Sequence, residues 1–275
     1  MGSDKMFGEN MKPGRPEVIE PMELSMEDLY LFKQCPLRWR LSKTELHMRE
    51  RTKKEELADK AKEMIQWYYT RRMEGLLPSY DQVKRHFSDL LYGGKIDSRQ
   101  VMRMQRVKPE RGDIVNMEQK LIKGVLEMVG RDRAKEATVV AVSKKYRVKI
   151  SDTLYLTGEI PVVRDVEGQI ELVWVKTSFS DASEFYYLTD MGLTFLQLAW
   201  NSVKKQPAQR VVVFDAVSGK ERAVIRSRED YKRLVEIAKM TEAMIRQNLI
   251  MPREQKGCNS CPKRMLCAQW KGWKN

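Results

Sequence analysis

The sequence has no apolar run approaching the ~20 residues that span a bilayer, and charged side chains make up 32% of its 275 residues. A membrane-embedded helix is therefore not expected. No basic segment followed by an apolar stretch opens the chain, so nothing marks it for secretion. Cysteine is scarce: four in a chain of this size do not make a disulfide framework. A reducing, cytoplasmic setting is the expectation. Only two histidines occur, His47 and His86, which stay outside candidates for a zinc site. The phosphate-cradling Gly-x4-Gly-Lys-[Ser/Thr] pattern is missing, so no ATP motor of that type is built in.

Positive charge, by contrast, is abundant. The formal net charge is +13. Residues 1–21 hold Lys5, Lys12 and Arg15 against Asp4, Glu9, Glu17 and Glu20, a net of −1, which leaves +14 on the rest. The excess belongs to the body of the chain rather than to its leader. Such an excess suits a polyanionic partner, nucleic acid first, because neutralised phosphates release condensed counterions. A solubilising surface is the plainer reading.

Periodicity organises the chain. Residues 1–21 lack it and read as a mobile leader before one domain over 22–275. Ser25 and Asp28 have capping-box spacing ahead of Leu29, Phe32, Leu37 and Leu41, and Pro36 interrupts that helix beside Cys35. Helical spacing recurs over 55–73, 78–91 and 114–129, closing a helical part of about 24–135. Between the last two, Lys95, Arg99, Arg103, Arg106, Lys108 and Arg111 form a phosphate-facing or simply solvated stretch. From Ala137 the pattern turns to strands: ATVVAV, then alternation through Tyr146, Val148 and Ile150, then 153–163, 170–176 and 210–216. Glu167-Gly168 marks a turn, a helix is expected over 189–203, and an amphipathic helix after Ser227. The fold class is α/β, with a sheet core over about 137–226 and a C-terminal helix and cysteine cluster over 227–270.

Cys258-x2-Cys261-x5-Cys267 is a compact trio that needs a fourth ligand, and Cys35 is the only other cysteine. Four thiolates suit zinc or an iron–sulfur cluster. One remote and three clustered ligands, rather than paired knuckles, favour [4Fe–4S]. Such a link closes a loop of more than 200 residues, worth about 5 kcal/mol by chain entropy.

These features resemble the RecB-like branch of the PD-(D/E)xK nucleases that carry an iron–sulfur staple, which includes AddB-type subunits and CRISPR-associated exonucleases. The resemblance is carried by SMEDLYLFKQCPLRWRLSK, GEIPVV, IELVWVKTS, FLQLAW and CNSCPKRMLC, spanning about residues 24–270. It implies a restriction-endonuclease-like mixed sheet flanked by helices, with Cys35, Cys258, Cys261 and Cys267 joining the termini. It also implies strand carboxylates holding Mg²⁺ or Mn²⁺, with a lysine beside them. That set is depleted here. The family's helical histidine position falls near Met64, a frequent glutamate is Ser143, Gly-x-x-Asp becomes Gly158-Glu159-Ile160-Pro161, and Asp-x-Lys becomes Trp174-Val175-Lys176. Lys176 and Gln197 survive as vestiges.

Strand parity turns Glu171 away from Lys176, and Glu159 lies roughly 7 Å along the strand from Pro161. Neither acid is expected to rescue a metal site, and Trp174 is expected to fill the vacated pocket. The resulting expectation is a silenced nuclease fold that binds nucleic acid, DNA before RNA and single strands or ends before duplex, beside a helicase, polymerase or other replication, recombination or repair partner. An active exonuclease and a purely structural subunit are the rivals. An ordinary strand-end lysine is the plain reading of Lys176. Arg38, Arg40, Lys263 and Arg264 flank the cysteines in sequence and are candidate phosphate contacts, with Trp273 of the Trp270–Lys274 tail as a stacking residue.

Overall fold

The computed structural model describes residues 20–44, 52–93, 109–178, 183–204 and 206–270. The leader up to residue 19, His47, most of the basic stretch after residue 94, and Trp273 lie outside them. Among the described residues no helix is long and apolar enough to cross a membrane.

The chain opens with β1 (Met22–Ser25), α1 (Met26–Gln34) and α2 (Pro36–Thr44). Ser25 and Asp28 do form a capping box on α1, satisfying amides that the first helical turn leaves without partners. Cys35 is extended at the C-cap, and Pro36, which has no N–H to offer, begins α2. Three helices follow: α3 (Lys53–Met73), α4 (Tyr80–Tyr92) and α5 (Pro109–Ala134). Capping boxes at Thr52/Glu55 and Ser79/Gln82 fix the starts of α3 and α4.

The sheet contains β2 (Thr138–Lys149), β3 (Leu154–Val166), β4 (Gln169–Lys176), β5 (Ala208–Asp215) and β6 (Lys220–Val224), together with β1. β3 and β4 join through Glu167 and Gly168, both with positive φ as a tight primed turn requires. Between β4 and β5 run α6 (Glu184–Thr189) and α7 (Met191–Val203), and α8 (Arg228–Arg246) follows β6. A short 3₁₀ turn (Lys256–Ser260) and α9 (Arg264–Trp270) complete the described chain.

Two cores lie against the sheet. In the first, α1, α7 and α8 cover Leu154, Leu156, Ile170, Leu172 and Val213. In the second, α3, α4 and α5 cover Val162, Val173, Val175 and Phe214. Alternation along β4 assigns even positions to the first core and odd positions to the second, as strand geometry requires. β2 and β3 depart from that simple pattern. Ile160 belongs to the first core and Val162 to the second, while on β2 Tyr146 faces the first and Val142 packs on the second. Both strands change face at one level, where Ser143, with φ 49°, stands between the paired positions 142↔162 and 144↔160. Pro161 sits opposite and donates no backbone hydrogen bond.

Close approach between α5 and the turn after β5 depends on Gly124. A Cβ there would come 2.0 Å from the Ala216 carbonyl oxygen, a backbone atom that cannot step aside. Gly124→Ala should therefore lower stability by about 1–3 kcal/mol despite alanine's better helix propensity, as read from urea denaturation.

Candidate functional site

Strand pairing opens a notch in the sheet. β2 occupies one edge of β3 along 155–165, so β1, paired at 154–157, and β4, paired at 162–166, share the opposite edge. Residues 158–161 between them pair with neither. Because β1 runs parallel and β4 antiparallel to β3, their C-terminal ends converge on the gap. The cleft there encloses about 740 Å³. Gly158 and Glu159 come from β3, Met26, Tyr30 and Gln34 from one stripe of α1, and Trp174 and Lys176 from the end of β4. The far wall is α6 and α7, including Tyr186, Asp190 and Phe195.

Within the cleft Lys176 is engaged. Its Nζ donates to Asp215 Oδ2 and to the Ser178 carbonyl, each at 3.0 Å. Parallel register places Asp215 beside it on β5, and Asp215 Oδ1 accepts from the Val217 and Ser218 amides. Asp190 caps α7 by accepting from the Leu193 amide at 2.9 Å, and its other oxygen accepts from the Tyr30 hydroxyl at 2.8 Å. That hydroxyl accepts in turn from the Gly192 amide. Burial, then the Asp190 charge, push the Tyr30 phenol well above its ordinary range. The same causes in the same order push Tyr186 up to about 12. Both phenols are thus neutral hydrogen-bonding groups at neutral pH.

The residues singled out by the sequence separate. Trp174 and Lys176 meet in the cleft, but Trp174 is 39% exposed and lines the space without filling it. Gln197 does not reach Lys176: it is buried on α7, donating to the Ala208 carbonyl at 2.6 Å. It ties the helix to β5, a structural role in place of the expected vestigial catalytic one. Met64 is buried in the second core, and Glu159 is exposed at the cleft. Glu171 is fully buried, facing Arg164 and Arg210. Two cleft residues, Tyr30 and Asp190, and the Lys176 partner Asp215 escaped the sequence reading. Asp215 closes a β-branched run of the kind that marks a parallel strand, the one available signal for it.

Among the described residues no three His, Cys, Asp or Glu side chains gather as a metal-holding group. Pro161 and Trp174 supply no carboxylate at the positions the family resemblance assigns to acids, Asp190 is occupied as a cap, Asp215 beside the cleft is paired with Lys176, and Glu159 alone is left exposed in the cleft. This set does not fit the family's divalent cation, which prefers several oxygens around it.

The cysteine end lies at the C-terminal end of α1, next to Gln34 of the cleft. There the Arg253 amide donates to Cys35 Sγ and the Gln255 amide to Cys258 Sγ, both at 3.4 Å. Arg253 Nη1 also donates to the Lys33 carbonyl at 2.6 Å, and the Leu37 amide to the Met251 carbonyl. These bonds bring the C-terminal segment onto the junction of α1 and α2. Cys35, Phe32, Leu37 and Ile250 form a small core on which Cys267 packs. All four thiols are free of disulfides. Four cysteine sulfurs are soft donors of the kind that suit zinc or an iron–sulfur cluster. Arg38 and Arg40 lie on α2 and Arg264 is exposed beside Cys261 and Cys267 in sequence, but Lys263 is only 8% exposed. The expectation of Lys263 as an outward phosphate grip is corrected accordingly. His86 stacks on Trp67, with centroids 4.2 Å apart, in the helical layer.

No curated protein matches. A solved structure titled "Crystal structure of SSO0001" is 15% identical over 90% of this chain and 86% of its own, with a TM-score of 0.40. The family profile described as "PD-(D/E)XK nuclease superfamily" matches residues 23–268. A mixed sheet between two helical layers, notched where β3 leaves β1 and β4, is accordingly the frame of a chain that belongs to the PD-(D/E)XK nuclease superfamily.

Proposed function

We propose that this chain is a catalytically silenced, RecB-like member of the superfamily that binds nucleic acid, DNA foremost, as a non-cutting component of a replication, recombination or repair assembly. The observation that carries this reading is the state of Lys176. Its amine is bound to Asp215 and the Ser178 carbonyl, while Pro161 and Trp174 stand where the family resemblance calls for metal-binding acids. A lysine so engaged, without oxygen ligands for a divalent cation, has no attacking water to steady.

Binding draws support from the charge of +13 and from Arg38, Arg40 and Arg264 around the cysteine end. Cys35, Cys258, Cys261 and Cys267 would hold a [4Fe–4S] cluster, with zinc as the alternative. Either centre supplies a structural link between the chain ends. A helicase or polymerase of the same assembly would supply any motor or synthesis.

The test pairs cleavage with retardation, using anaerobically purified protein, Mn²⁺ and labelled single- and double-stranded DNA. The expected result is retardation without product, weakening on the order of tenfold or more between about 50 and 200 mM salt. Lys176→Ala should change neither outcome. Metal-dependent cleavage abolished by that substitution would establish the rival exonuclease, for which Glu159 and Asp190 in the cleft are the available carboxylates. Neither retardation nor cleavage would leave the structural subunit.

A further inference from the structure

We infer that the cleft seats one unpaired nucleobase of a single-stranded nucleic acid, stacked on Trp174, with the strand's phosphates held outside at the rim. This rests on the nucleic-acid-binding reading above. The position that the family resemblance assigns to a metal-binding acid carries a large flat ring, and that ring is left accessible. Trp174 is 39% exposed while lining the cleft, and on the far wall Tyr186 is 51% exposed. Tryptophan faces are strong stacking platforms for any base.

Charge decides which part of a nucleotide enters. Glu159 and Asp190 line the space, and the positive charge of Lys176 is met by Asp215. A phosphate inside would therefore face the Glu159 and Asp190 carboxylates. A neutral base finds aromatic faces for its rings and carboxylate acceptors for its amino groups. The cations lie outside. Gln34, at the cleft edge, accepts from Arg38 Nη1 at 3.1 Å, and Lys33 beside it is exposed. A strand following this rim would keep its phosphates on Arg38 and Lys33 while one base turns inward. The volume of about 740 Å³ falls within the usual range for small-molecule sites. An aromatic side chain of a partner protein would also stack on Trp174, but the rim cations and the net charge of +13 favour a polyanion.

Three proteins, the unaltered chain, Trp174→Ala and Trp174→Phe, would be titrated with a labelled single strand and with an abasic strand of equal length, at equal salt. The unaltered chain should bind the intact strand on the order of tenfold tighter than the abasic one. Trp174→Ala should bind both at the abasic level with the same salt slope and an unchanged melting curve, whereas Trp174→Phe should keep most of the difference. A free nucleoside monophosphate should compete far less well than the strand. If Trp174→Ala preserves the intact-over-abasic preference, or if the monophosphate competes equally, the inference is overturned and the binding reading stands. If the unaltered chain binds neither strand, the binding reading fails and takes this inference with it, leaving a protein partner as the occupant to pursue.

Discussion

Arg164→Met should destabilise the fold by about 3–5 kcal/mol, lowering the melting temperature by roughly 10 °C for a chain of this size. Arg164, Asp132 and Glu171 have fully buried side chains. Arg164 Nε donates to Glu171 at 2.8 Å and its Nη1 to Asp132 at 3.2 Å. Arg210 holds the other oxygen of Glu171, and Arg72 with Tyr68 holds the other oxygen of Asp132. Glu221, paired with Lys135, closes the set from β6. Removing the central cation leaves two buried carboxylates undercompensated, which costs far more than the net worth of an intact buried pair. Adding Glu171→Leu should return part of the loss, since Asp132 retains Arg72, and a double-mutant cycle would measure that coupling.

The same network sets a pH dependence. Burial alone would raise the Glu171 carboxyl, yet Arg164 and Arg210 outweigh it and hold the group below its ordinary 4.5. A carboxyl depressed on folding contributes stability that is present above the unfolded value and lost as pH falls through the folded one. Acid titration of the unaltered chain should therefore show stability falling below about pH 4.5, and Arg164→Met should flatten that slope. An unchanged slope would mean that Arg210 alone holds the carboxylate.

If the proposed centre joins the four cysteines, Cys35→Ser or chelation of its metal should cost about 5 kcal/mol, because one centre would close a loop of more than 200 residues. Cys35 is buried and accepts from the Arg253 amide, so its substitution also disturbs local packing. Cys258 is exposed, and Cys258→Ser separates the two effects. A loss in Cys258→Ser equal to that of chelated protein, with a larger one in Cys35→Ser, read as urea midpoints, supports the staple. A Cys258→Ser midpoint equal to that of the unaltered chain would remove it. Iron, sulfide and zinc content of the anaerobic protein distinguishes cluster from zinc.

Much of the fold was legible because its signals are local. The Ser25/Asp28 box, the break at Pro36 and the Glu167-Gly168 turn are written within a few residues, and alternation on β4 correctly sent Glu171 away from Lys176. β1 and β6 escaped for opposite reasons. β1 is four residues long, and β6 is a mostly polar strand whose pairing comes from β5. The partners at the site were not legible. Pro161 and Trp174 could be read directly against the family pattern, whereas Asp215 meets Lys176 only through the register of two strands separated by α6 and α7. Lys263 escaped because closeness to a cysteine in sequence says nothing about whether a side chain faces solvent. Gln197 could not be told from a cleft residue by helical spacing alone, since its neighbour Leu196 does line the cleft.

The unpaired stretch of β3 also behaves as a ruler. Thr157 is the last position held by β1 and Val162 the first held by β4, so five steps of about 3.3 Å set a span of roughly 16 Å. Backbone count, not side-chain identity, fixes that aperture. Substitutions within it can change what the cleft prefers while leaving its bore intact. Losing a single residue there would narrow the opening and also rotate the following strand by half a turn, turning side chains that belong to one core toward the other. Substitutions can therefore change the chemistry of this cleft without resizing it.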